Sequence, residues 1–111
     1  MVQSLLILAT VLWLGVAAEP GRHVVSMSEF KFRPAVIHAV VGDTIVWQNH
    51  DIVPHTAHAD DGSWDTGHLA AKEQRITVVL KRGNYEFTCL YHSNMKGKLF
   101  VNCLIPASIV V

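Results

Sequence analysis

Tyr85-Glu86-Phe87-Thr88-Cys89 alternates strictly, with Tyr85, Phe87 and Cys89 on one side and Glu86 and Thr88 on the other. Successive side chains of a β-strand point to opposite faces, so this is the pattern of a half-buried strand that delivers Cys89 to the core at its end. Lys81-Arg82-Gly83-Asn84 before it reads as a turn. Working outward, His23–Met27, Phe30–Arg33, Val36–Val41, Thr44–Gln48, Ile76–Leu80 and Lys98–Val101 read as further strands. Phe30–Arg33 alternates aromatic and basic residues and stops at Pro34, as an edge or a strand end does. Gly42-Asp43 is a turn signal, and Ile45 and Trp47 share a face of the strand after it. No segment sustains apolar residues at i, i+3, i+4 and i+7 over several turns. About seven short strands separated by turns predict an all-β protein, a Greek-key β-sandwich.

The chain has 111 residues, enough for one such domain. Its 9 basic and 9 acidic side chains balance, which argues against a nucleic-acid binder and against an acidic disordered chain. Half of the residues are apolar, so a packed core is expected. Residues 1–18 carry no charge, end in Val16-Ala17-Ala18, and give way to Glu19-Pro20-Gly21-Arg22. That pattern is read as a secretory leader cleaved after Ala18; an uncleaved membrane anchor is the rival reading, for which the apolar stretch is short of the roughly 20 residues a span needs. The expected organisation is a leader over 1–18, one domain over 19–102 and an apolar tail over 103–111 with no assigned role. No stable membrane association is expected after cleavage, and a monomer is expected.

Residues 49–74 break the strand rhythm and hold His50, Asp51, His55, His58 and His68. A loop this long in a small domain is usually functional. Beyond Cys89 the chain reads Leu90-Tyr91-His92-Ser93-Asn94-Met95-Lys96-Gly97. It offers a thiolate, an imidazole and a thioether at i, i+3 and i+6, which a short loop can wrap round one ion. A second imidazole must come from elsewhere. His55 is the best candidate, since Pro54 stiffens the chain before it; His50 and His58 are its neighbours. Two His and one Cys with a weak axial Met is the donor set of an electron-transfer copper site, and thioether donors turn the choice from zinc toward copper.

These residues resemble the cupredoxins, the type 1 blue copper proteins, over roughly residues 23–102. The Cys89-x-x-His92-x-x-Met95 spacing is most similar to the amicyanins; pseudoazurins and plastocyanins share the plan with longer ligand loops. Trp47-x-Asn49-x-Asp51-x-x-Pro54-His55-Thr56 resembles the family's upstream ligand motif. Phe30-x-Phe32-x-Pro34 and Val41-Gly42-Asp43-Thr44 resemble its early strands. The resemblance implies the cupredoxin type of sandwich and one copper ion cycling between Cu(I) and Cu(II). It implies His55 as the inner ligand, with Cys89 and Met95, and His92 as the near-surface ligand through which electrons pass. It also implies redox partner proteins as donor and acceptor, and a periplasmic location. Three positions depart from the family: Thr56 stands where several relatives have Asn, and Tyr91 and Ser93 replace common loop prolines. Thr56 occupies a position that usually constrains the ligand loop and hydrogen-bonds around the Cys sulfur.

Simpler readings compete at each residue. In an exported protein Cys89 and Cys103 could form a disulfide. If residues 84–89 and 98–103 pair as a hairpin, Cys89 faces Lys98 and Cys103 lies near Asn84, roughly 17 Å away at about 3.3 Å per residue. That exceeds the approximately 7 Å a disulfide spans, so Cys103 is expected to be a buried or tail thiol, with an intermolecular bond as the alternative. Met95 alone would read as core filling. His50, His58 and His68 read as loop surface, with His58 a candidate for a second weak metal site; His23 and His38 read as strand residues. Phe30, Phe32, Trp47, Tyr85 and Phe87 read as core. The expected function is single-electron transfer, with copper carriage without redox cycling as the alternative. An electron shuttle needs no substrate pocket or acid–base pair, so an enzyme is not expected.

Overall fold

The structure is a computed structural model that describes residues 20–103; the expected leader and most of the apolar tail lie outside the described residues. Among the described residues, eight strands run in chain order: β1 (Arg22–Ser28), β2 (Lys31–Arg33), β3 (Val36–Val40), β4 (Thr44–Asn49), β5 (His58–Ala59), β6 (Gln74–Val78), β7 (Gly83–Cys89) and β8 (His92–Asn102). They form two four-stranded sheets, ordered β2-β1-β4-β6 and β3-β8-β7-β5. β1 lies parallel to β4 and β3 parallel to β8, and the remaining pairs are antiparallel. The fold is an all-β sandwich, as the alternation predicts. β2, read from its proline stop as an edge or a strand end, is the outer strand of its sheet.

The inner faces meet in one core. Val25, Met27, Ile45 and Trp47 come from the first sheet, and Ile37, Ala39, Phe87, Cys89, Leu99 and Val101 from the second. Phe87 is the hinge of the aromatic packing, with its ring centroid 4.8 Å from Phe32 and 5.4 Å from Trp47, both edge-on. Edge-to-face packing sets the positive rim of one ring against the negative face of the next. Gly97 sits opposite Phe87 in the β7–β8 ladder. A Cβ there would run into the Phe87 ring and come within 2.8 Å of the Ala35 carbonyl oxygen.

The turn between β3 and β4 is held by one carboxylate. Asp43 accepts from the Gly21 amide at 2.6 Å and the Val40 amide at 3.0 Å, and pairs with His23 Nε2 at 2.8 Å. Burial pushes the Asp43 carboxyl up, but the bonds from His23, Val40 and Gly21 outweigh it and hold the group below 3.8.

Three expectations need correction. The closing strand begins at His92, not Lys98, because Met95, Gly97, Leu99 and Val101 continue one inward-facing alternation with Lys96 and Lys98 outside. The stretch read as a ligand loop is therefore a tight hairpin in which Cys89 pairs with His92, and Lys98 with Glu86. Phe30 is not core; half of it is exposed. His58 lies in β5, partly buried, rather than on open loop surface. Both cysteines are free, with Cys89 buried and Cys103 exposed. The observed register pairs Gly83 with Val101, which takes Cys103 beyond the start of β7, at the far end of the hairpin from Cys89.

Candidate metal centre

Two elements that are distant in sequence converge at one end of the sandwich. β4 ends at Asn49, whose buried side-chain amide donates to the carbonyls of Val53 at 2.8 Å and of Leu69 and Ala70 at 3.2 Å. Its Oδ1 accepts from the Asp51 amide at 2.9 Å. These bonds draw the chain on either side of His55 against the end of β4. His55 and Leu69 then exchange both backbone hydrogen bonds, at 3.0 and 2.9 Å, and the His55 side chain is fully buried.

The second element is the β7–β8 hairpin. The thiol of Cys89 lies 3.8 Å from His55 Nδ1 and accepts from the Thr56 amide at 3.4 Å. Thr56 Oγ1 in turn accepts from the Leu90 amide at 2.9 Å. Thr56 thus makes both contacts expected at its position. His92 packs its ring against His55, with centroids 5.0 Å apart. One donor atom each of His55, Cys89 and His92 lies within 4.8 Å of the others. Met95 is buried on β8 and belongs to the same core cluster as Cys89. His50 and His68 are exposed and outside this group, and His58 is turned to Asp65 at 3.5 Å.

The protonation of His55 follows from its partner. Nε2 lies 2.7 Å from Asp51 Oδ2. Burial pushes the Asp51 carboxyl up, but bonds from the Phe30 amide, His55 and the Glu29 amide outweigh it and hold the group below 3.8. An ionised carboxylate only accepts, so Nε2 carries the proton and donates. In neutral imidazole that leaves the Nδ1 lone pair facing Cys89, which is how an outer carboxylate orients a metal-binding His. The same carboxylate accepts from the Glu29 amide at 2.8 Å and the Phe30 amide at 3.0 Å. It thereby holds a turn in which both residues have positive φ, 54° and 59°. That turn sets the Phe30 ring edge-on to His55 at 5.6 Å and to His92 at 4.9 Å. Sequence reasoning missed both residues: Asp51 was only part of a motif, and Phe30 gave no signal distinguishing it from core.

The residues fit a soft-metal ion. A buried imidazole nitrogen, His92 Nε2, has no hydrogen-bond partner, a costly state for a polar atom unless another ligand meets it. Two imidazoles and a thiol that converge this closely match the in-plane donors of an electron-transfer copper site.

A family model described as "Cupredoxin-like domain" matches residues 2–101. The chain belongs to the cupredoxin-like family. Cupredoxins are copper electron-transfer proteins, and copper is the cofactor for which His55, Cys89 and His92 stand grouped as possible ligands. The chain is 31% identical over 86 residues to amicyanin from Paracoccus denitrificans, a match covering 73% of this chain and 66% of that protein. It is 27% identical over 89 residues to amicyanin-alpha from Methylorubrum extorquens, covering 76% and 75%. Among solved structures, a methionine-to-leucine mutant of oxidised amicyanin superposes with a TM-score of 0.67 at 26% identity, over 80% of this chain and 88% of that one. A copper-containing nitrite reductase from Thermus scotoductus SA-01 superposes with a TM-score of 0.70 at 28% identity; 82% of this chain matches only 25% of that enzyme. The cupredoxin fold here therefore corresponds to one part of that larger chain.

Proposed function

We propose that this cupredoxin is a single-electron carrier whose copper would be held by His55, Cys89, His92 and Met95. The observation that carries this reading is the approach of His55 Nδ1 to Cys89 Sγ, with His92 in the same cluster. Copper bound there would supply a one-electron couple. The chain's residues do the rest. Asp51 fixes the His55 tautomer, and the Thr56 amide donates to the sulfur, which stabilises thiolate charge. Phe87, Met95 and the surrounding core keep water from Cys89. Little has to move at His55 and Cys89 when the charge changes, because the His55 backbone is tied to Leu69 and the Cys89 sulfur to the Thr56 amide. His92 is only partly buried, so electrons would pass to and from partner proteins through it. Export to the periplasm, action as a monomer and a role as carrier rather than enzyme complete the proposal.

Loading the full chain with copper and recording its visible and electron paramagnetic resonance spectra tests this. An intense Cys89-to-Cu(II) charge-transfer band is expected, lost in Cys89→Ser. Tight copper binding without that band would mean a copper carrier, and unchanged colour in the Ser variant would remove Cys89 from the site.

A further inference from the structure

We propose that the hydrogen bond between Tyr91 and His68 is a strap that positions the metal-binding turn, making Tyr91 a positioning residue that acts through His92. The inference rests on the reading of His92 as a ligand. The turn Cys89-Leu90-Tyr91-His92 closes the β7–β8 hairpin just past a register irregularity at Thr88/Cys89, and it contains no proline. A proline would fix φ and remove unfolded-state freedom. Three side-chain hydrogen bonds reach the turn from outside the ladder: the Thr56 amide to Cys89 Sγ, the Leu90 amide to Thr56 Oγ1, and the 2.7 Å bond shared by the Tyr91 hydroxyl and His68 Nδ1, which alone comes from the His68 segment.

The far end of this strap is anchored. The His68 carbonyl accepts from Arg75 Nη2 at 3.3 Å, and Arg75 Nη1 donates to the Thr66 carbonyl at 2.7 Å. The next residue, Leu69, exchanges two backbone bonds with His55. The path His92–Tyr91–His68–Leu69–His55 is therefore a closed brace between the two imidazole-bearing segments. The Tyr91 ring also stands edge-on to His68 at 5.6 Å and to His92 at 6.4 Å. A tyrosine that was merely solvated would need no such anchored partner.

The test compares Tyr91→Phe, His68→Ala and the double variant with the parent chain. Tyr85→Phe is the control, because it deletes a hydroxyl bonded to the Lys81 carbonyl at 2.7 Å, away from the turn. In the metal-free chain, amide exchange at residues 90–94 should speed up about two- to tenfold in either single variant, the range one net hydrogen bond supports. The control should leave those amides unchanged. In the copper-loaded chain, Cu(I) release to excess chelator should quicken by a similar factor, and the charge-transfer band should shift. The double variant should exceed neither single. Parent-like exchange in Tyr91→Phe, or effects that multiply in the double variant, would overturn the strap. A parent chain with no charge-transfer band would instead refute the copper assignment, and the metal-free exchange would still decide the strap.

Discussion

The Asp51 carboxylate accepts the Nε2 proton of His55 across 2.7 Å, and this one bond determines which nitrogen of His55 is free to face Cys89. Asp51→Asn tests it. The variant keeps its one oxygen for the Glu29 amide and can turn an amide donor toward Nε2, favouring the other tautomer and a protonated Nδ1 beside the sulfur; the Phe30 amide, which shares Oδ2 with His55, then loses its acceptor. Copper affinity, measured by chelator competition, is expected to fall about 10–100-fold, as when other outer partners of metal ligands are lost. Asp51→Ala should lose affinity too and also destabilise the metal-free chain. Parent-like affinity in both variants would show that this carboxylate does not tune His55.

Much of this was legible beforehand because it rests on local periodicity. Tyr85, Phe87 and Cys89 share a face in the sequence and in the fold, and the 89-92-95 spacing survives although its secondary structure changes from loop to hairpin. That change was readable too, since Met95, Gly97, Leu99 and Val101 alternate without a break. The roles of Asp51 and Phe30 were not. Both depend on the β1–β2 turn meeting the start of the 50–55 segment, a contact between residues about 20 apart that no local pattern encodes. A half-exposed aromatic ring also has the same one-letter signature as a buried one, so Phe30 read as core.

The Phe30 ring packs edge-on against both imidazoles. Its replacement by Ala removes two edge-on aromatic contacts, each worth about 0.5–1.5 kcal/mol. Exposure lowers their sum, so a loss of about 1 kcal/mol is expected in denaturant unfolding of the metal-free chain. The diagnostic result lies in the loaded protein, where pulsed resonance should detect more exchangeable protons near the copper. If the proton signal and stability both match the parent, Phe30 does not shield the site.

Gly97 is where the hairpin passes directly under Phe87. Gly97→Ala forces the Phe87 ring or β8 to shift, and overpacking of this kind typically costs about 1–3 kcal/mol. Because Cys89 lies two residues beyond Phe87 on β7, the displacement should also reach the site. The denaturation midpoint is expected to fall and copper release to quicken in the same variant. A midpoint within error of the parent would show that the ring has room that the close approach to the Ala35 carbonyl denies.

Asp43 makes the acid limit of the fold predictable in sign. Its carboxyl is held below 3.8, so the unfolded chain binds its proton more readily than the folded one. The stabilisation is therefore complete above about pH 5 and is lost as pH falls through the depressed folded value. Asp43→Asn removes the charge but keeps one acceptor for the Gly21, Val40 and His23 donors. At neutral pH it should cost about 1–3 kcal/mol, the usual penalty for weakening bonds to a buried charged group. Asp51 and Asp61 are also held low and add to the acid slope of both proteins, so the informative quantity is the difference between parent and variant. Urea unfolding of the metal-free chains from pH 7 downward should show that difference shrinking as Asp43 becomes protonated. A gap that stays constant, or widens, would mean that the Asp43 charge does not hold the β3–β4 turn to the start of β1.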